Sequence, residues 1–461
     1  MAHQTIKEAD VKQAFKEFSP FQVDPEKVWA DYDLNDSSFE PATDSEKENM
    51  VEIRKSVSYW RDAARRFKNN TVSMVALGIF IIVLLFAFLG PSLIPYDYAN
   101  QYRSSQKLGP FEYSDQEARI KSIEGQVDCM FATALQPGSS TGLDAGDYYF
   151  KFKGTTYSFN LDKKLADSVI ILKDGELSIT REVDIMNGEI KRSTPLAFTS
   201  EVTDGAKELT VAKKVFPHMV GTDSQGRDLL ARTMYGARVS IIIGIVAALI
   251  VLVIGSIYGA ISGLCGGVVD FVMMRIVELI YSVPEILLVL LLQVVLKDPL
   301  QKWFDASNSW FANALSTLGA GIVSIFITFA LLYWVTMSRI VRGQVLMLKK
   351  QEYVTAATAL GASNGRIIRR HLLPNCVGQL VITTCLQIPS AIFLESFLSF
   401  LGLGVSAPMA SLGSLCSDAL GTITIFPYRL LFPGAVLTII VLTLNLVGDG
   451  LRDALDPRLK K

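Results

Sequence analysis

What the chain lacks closes off several chemistries. Its 461 residues contain no G-x4-G-K-[ST] phosphate loop, so no nucleotide-cradling turn of its own is expected. The nearest spacing, Gly361-x3-Gly365-Arg366, is too short and has no lysine. Histidine is scarce (His3, His218 and His371) and no H-E-x-x-H occurs, which excludes an intramembrane zinc protease. The serines and aspartates suggest no nucleophile elbow, so the polypeptide is not read as an enzyme and no metal site is expected. Five cysteines form no C-x-x-C pair, and Cys129 would stand alone outside a membrane, which argues against a disulfide framework. Charged residues make up 19%, below the usual figure of about 25%. The net charge of −1 leaves no basic excess for a nucleic acid. The first residues lack the apolar core of a cleaved signal, so the first apolar run is expected to serve as the insertion signal.

What is abundant is apolar sequence, at 50% of the residues. Six runs are long enough to cross a hydrocarbon core, which takes about 20 residues. They lie at about 71–94, 239–261, 276–296, 319–341, 377–400 and 432–447. Residues 1–50 read as a solvated acidic tail carrying Phe15, Phe18, Phe21 and Trp29, and 51–70 as a basic juxtamembrane helix with Arg61, Arg65, Arg66 and Lys68. Basic clusters beside a span mark the cytoplasmic side. Seven Lys/Arg between Arg339 and Arg370 put the loop 342–376 on that side too, as do Arg458, Lys460 and Lys461 at the end. Six spans with both termini in the cytoplasm is then self-consistent. Residues 96–219 would be extracytoplasmic. Their short β-type runs broken by Lys153-Gly154, Asp174-Gly175, Asn187-Gly188 and Asp204-Gly205 predict hairpins in a small β-rich insert. Residues 220–461 form the remaining core.

Two intramembrane carboxylates, Glu285 and Glu395, are costly unless they face a cavity or an edge. They are candidates for a transport path, Glu395 near the outer mouth as either an ammonium partner or a plain interfacial glutamate. Around Gly361 the chain predicts a bracket of two helices. Tyr353, Ala356, Ala357 and Leu360 share one face of the first helix. Gly361 supplies a left-handed stop. Arg366, Arg369 and Arg370 lie on one side of a second short helix, opposite Ile367, Ile368 and Leu372. Leu373-Pro374 is expected to close the unit, since proline cannot continue the register.

Thr355-Ala356-Ala357, Gly361 and His371-Leu372-Leu373-Pro374 resemble the cytoplasmic "EAA" loop of permeases in ATP-binding-cassette importers. Thr355 stands where that family usually has glutamate and His371 where it has isoleucine, with Glu352 one turn earlier a candidate for the acidic role. Asp223, Gly226, Arg227, Asp228, Arg232 and Arg238 match the block G-T-D-x2-G-R-D-x3-R-x2-Y-G-A-R of peptide permeases. From the residues alone they either fix the polar approach to the second span or meet substrate. Residues 64–98 are similar to the N-terminal segment of the C-type permease of dipeptide and oligopeptide importers. The resemblance implies an all-α polytopic permease of six transmembrane helices with a β-rich extracytoplasmic insert. It further implies a second homologous permease as heterodimer partner, two ATP-binding subunits holding ATP and Mg, an extracytoplasmic peptide-binding protein, and a plasma-membrane location. Oligopeptides are the expected cargo, with dipeptides or nickel chelates as alternatives. A secondary transporter would show ion-relay carboxylates and repeat symmetry, and neither is clear.

Overall fold

The computed structural model describes residues 59–94, 96–99, 101, 105–132, 142–209, 215–307, 309–405 and 409–455, all within one compact unit, Tyr59–Lys461. The acidic tail, part of the basic segment and the C-terminal Arg458, Lys460 and Lys461 lie outside the described residues. Helix α1 (Tyr59–Asn69) leads through Asn70 into α2 (Thr71–Phe88). The Asn70 side chain accepts from the Ser73 amide at 3.2 Å and caps the new helix. A short turn, α3 (Gly90–Leu93), ends the first span.

The insert opens with α4 (Asp115–Ile123), whose Ser114 and Glu117 form a capping box. Two four-stranded sheets follow. One has β1 (Cys129–Ala132), β4 (Ser168–Lys173), β5 (Glu176–Arg181) and β8 (Thr194–Pro195) in the order β1-β4-β5-β8. The other has β2 (Gly146–Phe152), β3 (Thr155–Leu161), β9 (Phe198–Thr199) and β10 (Lys207–Glu208) in the order β10-β2-β3-β9. A small hairpin pairs β6 (Ile185–Met186) with β7 (Glu189–Ile190). At Lys153-Gly154, Asp174-Gly175 and Asn187-Gly188 both turn residues have positive φ, the geometry of two-residue hairpins. Asp204-Gly205 instead turns the chain into β10, which pairs parallel with β2. Strand β4 explains how the layers hold. Ile170 and Leu172 face the second sheet with Phe150 and Phe159, while Val169 and Ile171 face Ile120 and Ile123 of α4. A strand covered on both faces reads as a continuous apolar run.

The core begins with α5 (Leu229–Cys265), 37 residues long, which starts ten residues before the apolar run at 239. The cause is Asp228, whose carboxylate accepts from the Ala231 amide at 2.7 Å and nucleates the helix early. It is followed by α6 (Gly267–Tyr281), α7 (Glu285–Ala306), α8 (Trp310–Ser316), α9 (Ala320–Leu332) and α10 (Trp334–Leu348). Close packing of α5 rests on its glycines. A Cβ on Gly259 would lie 2.4 Å from the Ser338 carbonyl oxygen, and one on Gly244 2.4 Å from Ile392 Cγ1. Beyond α10 come α11 (Glu352–Ala359), α12 (Asn364–Ile367), α13 (Val377–Phe400), α14 (Leu412–Ala419) and α15 (Tyr428–Leu455).

Five helices or merged helices, Thr71–Phe88, Leu229–Cys265, Ala320–Leu348, Asn364–Phe400 and Tyr428–Leu455, are long and apolar enough to cross a membrane. Helices α6 and α7 pass the same test only as a pair, bent by 83° at residues 282–284, and make a sixth candidate crossing if the pair is one span. The third apolar run is therefore broken rather than a single span, because Pro284 cannot donate to the ladder. Residues 297–318, between the third and fourth apolar runs, are mostly helical. Trp303, Trp310 and Phe311 in it are exposed and Phe304 is buried.

Candidate functional site

Three sets of residues come together in different places. The first is the bracket. Helix α11 ends in a Schellman motif: the Gly361 amide donates to the Thr358 carbonyl and the Ala362 amide to the Ala357 carbonyl, each at 3.0 Å. Gly361 has φ +81°, in the left-handed region where glycine escapes Cβ strain. The expected closure at Leu373-Pro374 does not occur. After α12 the chain makes a π turn (Ile368–Leu372) and a 3-10 turn (Leu373–Cys376), then runs on as α13. The π turn seats the missing proline donor within a continuous helix, a common way to absorb such a break. Asn375 Nδ2 donates to the His371 carbonyl at 2.6 Å. The spacing G-x-S-x-G occurs at 138–142 and at 361–365, and the second of these joins two helices and so lacks the strand-to-helix frame of an elbow.

Val354, Ile367, Leu372 and Cys376 on the bracket's inner side belong to the same buried cluster as Ala260, Met337 and Val345. The other side is open. Glu352, Tyr353, Thr355, Ala356, Leu360, Arg366, Arg369, Arg370 and Pro374 are exposed, with Leu360 at 88%, while Ala357 and Leu373 are half-buried. The bracket thus presents an apolar ridge flanked by cations, held from beneath. A charge pair missed in the sequence fixes its height. Arg342 donates to Asp270 from Nε at 2.5 Å and Nη2 at 2.6 Å, and Ser262 donates to the same carboxylate at 2.5 Å. Lys349 Nζ donates to the Gly263 carbonyl at 2.9 Å. No sequence spacing links residues 72 positions apart.

The second set is the approach segment, whose polar residues are mostly buried and bonded within the protein. Asp223 accepts from the Arg227 amide at 2.9 Å, from Arg227 Nε at 2.7 Å and from Arg232, all buried. Gly226 takes φ +76° in that turn. Asp228 caps α5 and also meets His218 Nδ1 at 2.7 Å, while His218 Nε2 lies 3.2 Å from Glu117. His218 stacks on Tyr96 and ties the insert to the core. Burial alone would lower the His218 pKa, but hydrogen bonds and charge from Asp228 and Glu117 outweigh it and raise it to about 9. For Glu117 burial pushes upward, and the same histidine brings the net value below the ordinary carboxylate range. Arg238 donates to the carbonyls of Ala87 and Phe88, both at 3.2 Å, and so caps the end of α2.

The third set was to be Glu285 and Glu395, and the structure separates them. Glu395 is 0% exposed, accepting from Ser240 at 2.8 Å and Ser399 at 2.7 Å. It clamps α13 to α5 rather than standing open at a mouth. Glu285 is exposed at the start of α7 and lines a cavity of about 860 Å³ between the break, α10, α13 and α15.

Residues 255–461 match the family described as binding-protein-dependent transport system inner membrane component. Residues 58–110 match the N-terminal TM domain of oligopeptide transport permease C. The oligopeptide transport system permease protein OppC of Bacillus subtilis is 34% identical over 423 residues, covering 92% of this chain and 97% of that protein. OppC of Escherichia coli is 42% identical over 261 residues, covering 57% of this chain and 79% of its own. The dipeptide transport system permease protein DppC of B. subtilis is 44% identical over 245 residues, covering 53% and 70%. Among solved structures, a chain of the MetNI methionine ABC transporter in an inward-facing conformation aligns with 50% of this chain and 96% of its own, at 18% identity and a TM-score of 0.38.

Proposed function

Since the chain belongs to the binding-protein-dependent transport system inner membrane components, a family of multi-pass transport permeases, we propose that it is the translocating subunit of an ATP-driven peptide importer. Oligopeptides are the favoured cargo because the match to the B. subtilis oligopeptide permease runs nearly end to end. Dipeptides are the second reading, supported by the higher identity to DppC over the core.

The single observation that carries the coupling mechanism is the open side of the bracket. An apolar ridge of Tyr353, Ala356 and Leu360, flanked by Arg366, Arg369 and Arg370, is the form of a helix that docks in a partner's groove. Its inner side is packed into the same core cluster as α5 and α10, so a push on the ridge reaches the spans around the cavity. The partners on this reading are two ATP-binding subunits that hold ATP and Mg, a second related permease, and an extracytoplasmic peptide-binding protein. The chain itself performs no catalysis; it converts closure of the ATPases into exchange between inward- and outward-open states. The basic segments support a cytoplasmic side for both termini and the bracket, with the plasma membrane as the location. Affinity purification in mild detergent followed by an ATPase assay with added peptide tests this. Co-purifying ATPases stimulated by peptide-loaded binding protein support it; a chain that purifies alone and transports without ATP refutes it.

A further inference from the structure

The wall of the 860 Å³ cavity is nearly bland. Among its described lining residues Glu285 is the one charged side chain, the rest being apolar or neutral, such as Ser282, Gln387, Ser390 and Asn445. Its lining residues come from the third apolar run and from α10, α13 and α15, helices of the candidate membrane spans, so the cavity lies among the spans.

Three features there favour a cation. Glu285 is exposed to the cavity and makes no ion pair among the described residues. Its polar neighbour across the gap is the Tyr333 hydroxyl, which adds a donor and no charge. The carbonyl end of α6 points at the break, so its negative pole lies near the carboxylate and offsets the positive pole of α7, at whose first residue Glu285 stands. Arg339 lies over the ring of Tyr281, a residue of the wall, at 4.5 Å from the centroid, and does not itself line the cavity. Irregular backbone at membrane depth is tolerated where it lines a cavity, and residues 282–284 do so here. A lone intramembrane carboxylate facing such a space is costly without a transient partner.

We infer that Glu285 and the broken span beside it form a subsite for the primary ammonium group of the passing peptide, the α-ammonium or a lysine side chain. This rests on the peptide-permease reading and deepens it. The rest of the wall stays neutral, so that side chains of any kind slide past while the charge every free peptide carries is compensated in transit.

The test is ATP-driven uptake into proteoliposomes containing the full transporter. The probes are trialanine, its desamino analogue (propionyl-Ala-Ala), and N-acetyl-Ala-Lys-Ala. Glu285→Gln is expected to lower trialanine uptake by about tenfold, the size of one charge-assisted hydrogen bond, with Glu285→Asp recovering most of it. The preference for trialanine over its desamino analogue should shrink in Glu285→Gln, which a merely structural defect would not produce. Loss for trialanine alone assigns the α-ammonium; equal loss for the acetylated lysine peptide assigns any primary ammonium. Should Glu285→Gln fail to assemble, the desamino analogue still tests the wild type, where uptake equal to that of trialanine overturns the subsite. Glu285→Gln uptake at the wild-type rate with an unchanged preference also overturns it. Absence of any peptide uptake by the wild type would instead refute the permease reading.

Discussion

Two buried acids in the insert behave oppositely because of what stands next to them. Glu117 and Asp228 share His218, whose pKa rises from an ordinary 6.5 to about 9. A group held more protonated in the folded state stabilises it fully below the unfolded value and loses that contribution as pH rises through the folded value. The seam between insert and core is thus expected to be at full strength at and below about pH 6.5 and to weaken through about pH 9, with an acid limb from Glu117 below its ordinary range. His218→Ala leaves two buried carboxylates facing an empty space, at a cost of about 3–5 kcal/mol. Melting in detergent across pH 6 to 10 reads both effects, and an alkaline limb that survives in His218→Ala contradicts the assignment. Glu182 is the reverse case. It is 3% exposed with Oε1 unpartnered, and burial, then Asp167, push it up to about 8 despite Arg119. An acid whose folded pKa is raised costs stability increasingly from its ordinary 4.5 up to about 8 and by a constant amount above that. Glu182→Gln is expected to stabilise the insert above pH 8 by on the order of 1–3 kcal/mol, and to matter little near pH 4. Neither acid was readable in the sequence. His218 lies 101 residues from Glu117, and no periodicity connects them.

Among the elements, those with local causes were legible. Three of the four Asn-Gly, Asp-Gly and Lys-Gly turns became hairpins, because two residues suffice to set a type of turn. The stop at Gly361 was equally local. What failed were inferences from proline. Pro374 was expected to end a helix and instead lies in one, while Pro284 was expected inside a span and instead breaks it. The ring forbids one donor in both places; the neighbours decide whether a π turn absorbs the loss or the chain bends. Glu395 was misplaced for a similar reason, since its serine partners come from α5 as well as its own helix. The bracket yields a sharp prediction. At Gly361 an added Cβ meets nothing within 4 Å, so Gly361→Ala bears only the left-handed backbone cost of about 1–2 kcal/mol. Gly361→Pro cannot adopt φ +81° and loses the amide that binds the Thr358 carbonyl. Membrane insertion should persist in both, with ATP-dependent uptake reduced modestly in the alanine variant and abolished in the proline one. Normal uptake by Gly361→Pro in vesicles removes the coupling role.

At the scale of the whole molecule, the insert is fastened to the start of α5, and α5 runs 37 residues, about 55 Å, to the turn from which the bracket hangs. Asp270, Arg342 and Lys349 close that far end. The polypeptide therefore places its β layers and its exposed ridge at opposite ends of one helix, with the cavity between. Apolar runs made this gross plan readable, since candidate crossings need only length and hydropathy. The role of the ridge is where the account is most exposed. Leu360, at 88% exposure, is the site to probe. In native membranes of cells making the whole transporter, a thiol crosslinker applied to Leu360→Cys should join this chain to an ATP-binding subunit and stop peptide uptake until the link is reduced. Labelling of that cysteine by an impermeant reagent from the outer face, with uptake unaffected, would contradict the account.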